Sequence, residues 1–149
     1  MGQGREWTLR WSPVGSTASV MVVWAARVVL AAVFGFACVE KFRDADGSVR
    51  GVLELDVPRR LAPLVGRALP AVEAVVAAGV LVPATSTVAA VAGLLLLVVF
   101  TIAVLRVLAS GRAPMCFCFG SRNAQPAGRD TVIRNIALAA LCVVVVMAP

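Results

Sequence analysis

Cys116 and Cys118 stand one residue apart in the segment APMCFCFGSR, residues 113–122, and each is followed by a phenylalanine. A disulfide within such a C-x-C pair closes a small, strained ring, and strain makes a disulfide more oxidising and easier to exchange. Arg112 and Arg122 flank the pair, and nearby positive charge favours the thiolate form of cysteine. The pattern therefore indicates two thiols that cycle between dithiol and disulfide.

The other two cysteines, Cys38 and Cys142, lie within apolar runs. Cys38 precedes the polar end of its run by about one turn, so its thiol either packs in the core or serves as a third, resolving thiol. For Cys142 core packing is the favoured interpretation. The chain has no histidine, which excludes Cys-His catalytic pairs. Metal binding, with two thiolates on Cu(I) or half of a zinc site completed by Cys38, is the weaker alternative for the pair.

The chain is predicted to be an integral membrane protein, because 60% of its 149 residues are hydrophobic and 15% are charged. Four apolar segments reach the length of about 20 residues that a helix needs to cross a bilayer. They cover approximately residues 19–41, 60–82, 86–109 and 131–148. Because lipid tolerates only structures that satisfy their own backbone hydrogen bonds, the predicted fold is an all-α four-helix bundle. This domain occupies residues 19–149 and follows a polar, disordered tail at 1–18.

Two connections between the spans differ in character. The short, uncharged segment VPATST makes the second and third spans an antiparallel hairpin. The longer segment DGSVRGVLELDV follows the first span. It is either an amphipathic helix in the membrane interface, with Val49, Val52, Leu53 and, as an optional member of the set, Leu55 facing lipid, or a plain loop.

Charged residues within or at the ends of the spans need partners, because a charge in hydrocarbon is costly. Counted from the helix ends, Arg27 and Glu73 lie at similar depths, and we expect them to form an ion pair. A proton relay or a quinone headgroup site is the alternative for Glu73. At the opposite face, Glu40 ends the first span and Arg134 begins the fourth, which predicts either a bridge between them or snorkelling of Arg134 to the headgroups.

The basic residues are distributed unevenly between the two faces. The face with both chain ends carries Arg5 and Arg10. The other carries eleven: Lys41, Arg43, Arg50, Arg59, Arg60, Arg67, Arg106, Arg112, Arg122, Arg129 and Arg134. The positive-inside rule thus predicts a multi-pass cell-membrane protein with a cytoplasmic cysteine loop and both termini outside. The net charge of +6 is accordingly interpreted as topology signals and lipid anchors, not as a nucleic-acid site.

Four motifs together resemble the MauE family of membrane proteins, which are relatives of the DoxX group. They are KFRD, beginning at Lys41; LPAVE, ending at Glu73; CFCFG, beginning at Cys116; and the pair Arg134-Asn135. The resemblance covers about residues 20–148. It implies a four-helix protein that acts with a thioredoxin-like partner in maturing the disulfide-rich small subunit of methylamine dehydrogenase. A quinone is the one candidate cofactor, and a non-catalytic scaffold or a small metal or solute carrier is the alternative function.

Overall fold

The computed structural model describes residues 17–112, 115–116, 125–126 and 128–148, and helices make up most of this part of the chain. The helices are α1 (Thr17–Arg43), α2 (Ala45–Glu54), α3 (Ala62–Leu81), α4 (Ser86–Ala109) and α5 (Arg129–Met147). Two short strands, β1 (Met115–Cys116) and β2 (Gln125–Pro126), pair in antiparallel fashion. Of the predicted tail, only Thr17 and Ala18 are described, and both belong to α1.

Four of the helices, α1, α3, α4 and α5, are long and apolar enough to cross a membrane. Their ends lie within two residues of the predicted ones. The prediction of an all-α membrane bundle is confirmed. Because successive spans alternate in direction, the start of α1, the α3–α4 turn and the end of α5 share one membrane face. The opposite face holds α2 and the β1–β2 pair.

The core of the bundle lies where α1, α3 and α4 meet. Gly93 of α4 marks this place, since a Cβ there would lie 3.1 Å from Val76 Cγ1 and 3.3 Å from the Phe34 ring. The remaining buried core residues have small or apolar side chains and come from all four spanning helices. They are Ala26, Leu30, Val80, Ala89, Ala90, Leu97, Leu138, Cys142 and Val145. Small side chains permit the close helix approach that stabilises bundles in lipid.

The segment after α1 is a helix and not a plain loop. Asp44 caps α2, and its carboxylate accepts a hydrogen bond from the Gly47 backbone at 2.8 Å. The predicted direction of its apolar face is wrong for Val52, which is buried at 6% exposure. Val49 contacts Gly66 of α3, and a Cβ at Gly66 would approach the Val49 Cα to 2.8 Å. α2 therefore packs on α3, because glycine leaves room for its backbone.

A proline within α3 explains a hydrogen bond that ties α2 to it. Pro70 has no N–H, so the carbonyl of Gly66, four residues earlier, loses its helical donor. Ser48 of α2 is buried, and its hydroxyl donates to that carbonyl at 2.8 Å. The side chain thus replaces the missing backbone donor and fixes α2 over the first half of α3.

Candidate functional site

The cysteine segment is closed at its base by the β1–β2 pair. Met115 lies opposite Pro126 and Cys116 lies opposite Gln125. β1 also lies against α2, so the backbone of Cys116 is held near the membrane face to which α2 belongs. Cys118 is part of the stretch 117–124, which lies outside the described residues. The structure thus places the beginning of the C-x-C segment but not its second thiol.

An ion pair connects the approach to this segment with the end of α2. Arg112, the residue after the α4 C-terminal turn, donates through Nη2 to Asp56 Oδ2 at 2.5 Å. Asp56 has a positive φ of 61°, a conformation that Asp tolerates better than most residues. The hydrogen bond to Asp56 raises the pKa of Arg112 above its ordinary value. The contact joins two loops that the sequence predicted separately.

The two remaining cysteines are both free and buried. Cys142 belongs to the hydrophobic core at 1% exposure, which confirms the predicted packing role. Cys38 is 7% exposed and shares a face of α1 with Phe34 and Lys41, at the helical spacings of four and three residues. Its role as a resolving thiol stays a prediction.

A buried ion pair lies one turn beyond Cys38. Lys41 Nζ donates to Glu73 Oε1 at 2.6 Å, and the two side chains are only 8% and 7% exposed. The second carboxylate oxygen, Glu73 Oε2, is also buried and has no hydrogen-bond partner within the described part of the chain. The pair connects α1 and α3 below the packing site of α2. A carboxylate with one open acceptor site in a water-poor setting has the chemistry of a hydrogen-bond or proton acceptor.

The predicted pairing of Arg27 with Glu73 is wrong. Arg27 instead donates through Nη2 to Ser86 Oγ at 3.0 Å, while Lys41 occupies the carboxylate of Glu73. The prediction assumed that the beginning of α1 and the end of α3 lie at the same level in the membrane. α1 has 27 residues and α3 has 20, a difference of about 10 Å in helix length. Arg27 is therefore level with the α3–α4 turn, and Glu73 lies deeper.

Glu40 pairs with Arg43 of its own helix at 3.3 Å, and the predicted bridge from Glu40 to Arg134 stays a prediction. Arg134 is half-buried at the beginning of α5. The neighbouring Asn135 is buried and donates to Thr101 Oγ1 at 3.1 Å. The Thr101 hydroxyl in turn donates to the Leu97 carbonyl at 2.6 Å. Asn135 of the R-N motif thus links α5 to α4.

Two of these polar contacts had signals in the sequence. Pro70 inside a helix marks a free carbonyl, which could have suggested a donor such as Ser48. A lysine two residues before a helix end has a side chain long enough to reach back into the bundle, as Lys41 does. Among the described residues, no group of three His, Cys, Asp or Glu side chains could hold a metal ion.

Comparison with known proteins agrees with the motifs along the chain. The family model described as methylamine utilisation protein MauE matches residues 19–148. The methylamine utilization protein MauE of Paracoccus denitrificans is 38% identical over 130 residues, which cover 84% of this chain and 68% of that protein. No solved structure matches. The match extends over all four spans and the cysteine segment, and the chain therefore belongs to the MauE family.

Proposed function

We propose that this protein is a membrane thiol-disulfide exchange protein whose working group is the Cys116–Cys118 pair. In the proposed step the loop dithiol loses two electrons and two protons and becomes a disulfide. A disulfide of a thioredoxin-like partner gains them and becomes a dithiol. The exchange passes through a mixed disulfide between one loop thiol and one partner thiol, and its direction depends on the two reduction potentials.

The observation that supports this proposal is the position of Cys116 on the β1–β2 pair against α2. A thiol that exchanges with another protein needs a fixed base and access from water. The bundle supplies the base through the Asp56–Arg112 contact. The arginines beside the pair in sequence supply the charge that favours thiolates.

We place the protein in the cell membrane with the cysteine loop on the cytoplasmic side, following the eleven-to-two distribution of basic residues. The Paracoccus denitrificans relative is named for methylamine utilisation. By that resemblance, we propose a role in maturing a disulfide-rich enzyme such as methylamine dehydrogenase. On this topology the loop exchanges with a cytoplasmic partner. When the exchange runs in the reverse direction, the loop disulfide oxidises a partner dithiol and becomes a dithiol itself. A membrane quinone is then the candidate acceptor, which takes two electrons and two protons from the loop dithiol, restores its disulfide and becomes a quinol.

A scaffold that recruits a redox partner without using its own thiols is the second candidate. The surface beside β1 favours it, because Arg50 of α2 and Arg59 and Arg60 after it are exposed and basic. Such a surface could dock an acidic partner by charge alone. The two functions differ in whether the loop thiols are needed.

Trapping of mixed disulfides separates the two candidates. In cells, Cys116→Ser and Cys118→Ser each leave one loop thiol that cannot resolve its bond with the partner. We expect one of these variants to accumulate a disulfide-linked complex with a thioredoxin-like protein, and the double variant to accumulate none and to lose activity. Cys142→Ala is the matched control, because that thiol is in the core. Full activity of the double variant would contradict the exchange function and support the scaffold.

A further inference from the structure

Arg27 is a buried cation near the membrane face that carries the α3–α4 turn. The residue is 8% exposed, and its Nη2 donates to Ser86 Oγ at 3.0 Å. The Ser86 hydroxyl in turn donates to the Pro83 carbonyl at 3.0 Å. Ser86 is the first residue of α4, so this contact places the guanidinium beside the beginning of that helix.

The charge of Arg27 is not balanced by a carboxylate within the described residues. The acidic residue expected to balance it, Glu73, is paired with Lys41. To the described residues, the guanidinium of Arg27 donates a hydrogen bond from Nη2 to Ser86 Oγ. Its Nε is buried and has no acceptor among these residues. A guanidinium has five N–H donors, and a buried cation without a counter-charge is costly.

The beginning of α4 adds positive potential at the same place. Its N-cap residue, Thr85, makes no side-chain capping bond. The Thr85 hydroxyl donates instead to the Gly79 carbonyl at 2.9 Å. That carbonyl lacks a helical donor because Pro83, four residues on, has no N–H. The first backbone N–H groups of α4 are therefore left without a side-chain acceptor, and the positive end of the helix dipole adds to the charge of Arg27.

Trp24 shows where along the membrane normal this cluster lies. Its ring centroid is 5.3 Å from the Arg27 guanidinium carbon, and the residue is 44% exposed. Tryptophan is enriched at the level of lipid headgroups, and its face attracts a cation. From this preference we place the guanidinium at the headgroup level.

We propose that Arg27, Ser86 and the first turn of α4 form a binding site for the phosphate group of a membrane phospholipid. A planar guanidinium fork and a helix N-terminus are two devices with which proteins hold phosphate oxygens, and here they converge on one place. The phosphate supplies the negative charge that Arg27 lacks. The site lies on the membrane face opposite the cysteine loop and is independent of the proposed thiol exchange.

Native mass spectrometry of the full chain, purified in detergent and delipidated, tests this site. The protein is titrated with dioleoyl phosphatidylglycerol, and in a second arm with inorganic phosphate. We expect one tightly held lipid per chain, with affinity reduced about tenfold or more in Arg27→Gln and partly kept in Arg27→Lys. Arg50→Gln is the matched control, an exposed arginine of α2 on the opposite face, and should bind as the wild type does.

The arms distinguish the sources of the phosphate. Lipid binding without an effect of inorganic phosphate identifies the headgroup as the ligand, and competition by inorganic phosphate shows that the site takes the free anion as well. The proposal is overturned if the wild-type protein retains no lipid, or if Arg27→Gln and Arg50→Gln bind equally. The wild-type and Arg27→Lys results decide even where Arg27→Gln does not fold.

Discussion

Lys41 Nζ lies 2.6 Å from Glu73 Oε1, and this contact joins α1 to α3 inside the bundle with both side chains almost wholly shielded. The ammonium group comes from the last turn of α1, and the carboxylate from the middle of α3. Because both charged groups are shielded from water, each depends on the other to offset the cost of its burial. The pair therefore fixes the position of α1 relative to α3 along the helix axes.

Removing one partner of this pair should destabilise the bundle strongly. Lys41→Met leaves the buried Glu73 carboxylate without its cation, and Glu73→Gln removes the buried carboxylate that pairs with Lys41. We expect each change to lower the free energy of unfolding by about 3–5 kcal/mol. The double variant should recover much of that loss, because neither charge of the pair then remains buried. Unfolding in detergent with a double-mutant cycle measures the coupling. Arg43→Gln, which breaks an exposed pair with Glu40, is the control and should change little. Additive single effects would show that the pair is not coupled.

Two glycines of the spans should respond to alanine in opposite ways. At Gly66 a Cβ would lie 2.8 Å from the Val49 Cα, and a backbone atom cannot move aside without displacing α2. Gly66→Ala should therefore lower thermal stability and increase the proteolysis of the α2 segment. At Gly35 nothing lies within 4 Å of the new Cβ, so Gly35→Ala should be neutral or slightly stabilising. Equal effects of the two changes would argue against the close α2–α3 packing.

The contact between Arg112 and Asp56 should show a particular pH response. Because the hydrogen bond to Asp56 raises the pKa of Arg112, any stability from the arginine is fully present below its ordinary pKa and disappears only as pH rises through the raised value. Between about pH 6 and 9 the arginine stays charged, and the contact should be constant with pH but weakened by salt. Proteolysis of the cysteine loop in wild type and Asp56→Asn, with and without 1 M salt, measures this. Faster loop cleavage on raising pH from 6 to 9, seen in wild type and absent in Asp56→Asn, would contradict it.

The loop cysteines should be protected from reagents applied to the outside of intact cells. The charge distribution predicts a cytoplasmic loop, and on that prediction a membrane-impermeant maleimide should label Cys116 and Cys118 only in inverted vesicles. The variant Cys38→Ala with Cys142→Ala removes the buried thiols as sources of background. Rapid labelling of intact cells would reverse the assignment of the membrane faces.

The spans could be predicted from the sequence because lipid imposes length and apolarity on each helix separately. The partners of the buried charges could not, since they depend on how far one helix slides against another. An offset of about 10 Å between α1 and α3, together with the long reach of the lysine side chain, pairs Glu73 with Lys41 and not with Arg27. The direction of α2 depended on Gly66, whose missing side chain admits a neighbouring backbone. Such contacts depend on how two helices pack together, and they cannot be predicted from the hydropathy of one segment alone.

The redox behaviour of the cysteine pair tests the central proposal most directly. The purified protein is equilibrated in mixtures of reduced and oxidised dithiothreitol, its free thiols are trapped, and each cysteine is quantified by mass spectrometry. We predict that Cys116 and Cys118 change together in one two-electron transition, while Cys142 stays reduced in the core. If both loop thiols stay reduced in every mixture, or remain oxidised throughout, the protein does not exchange disulfides through this pair.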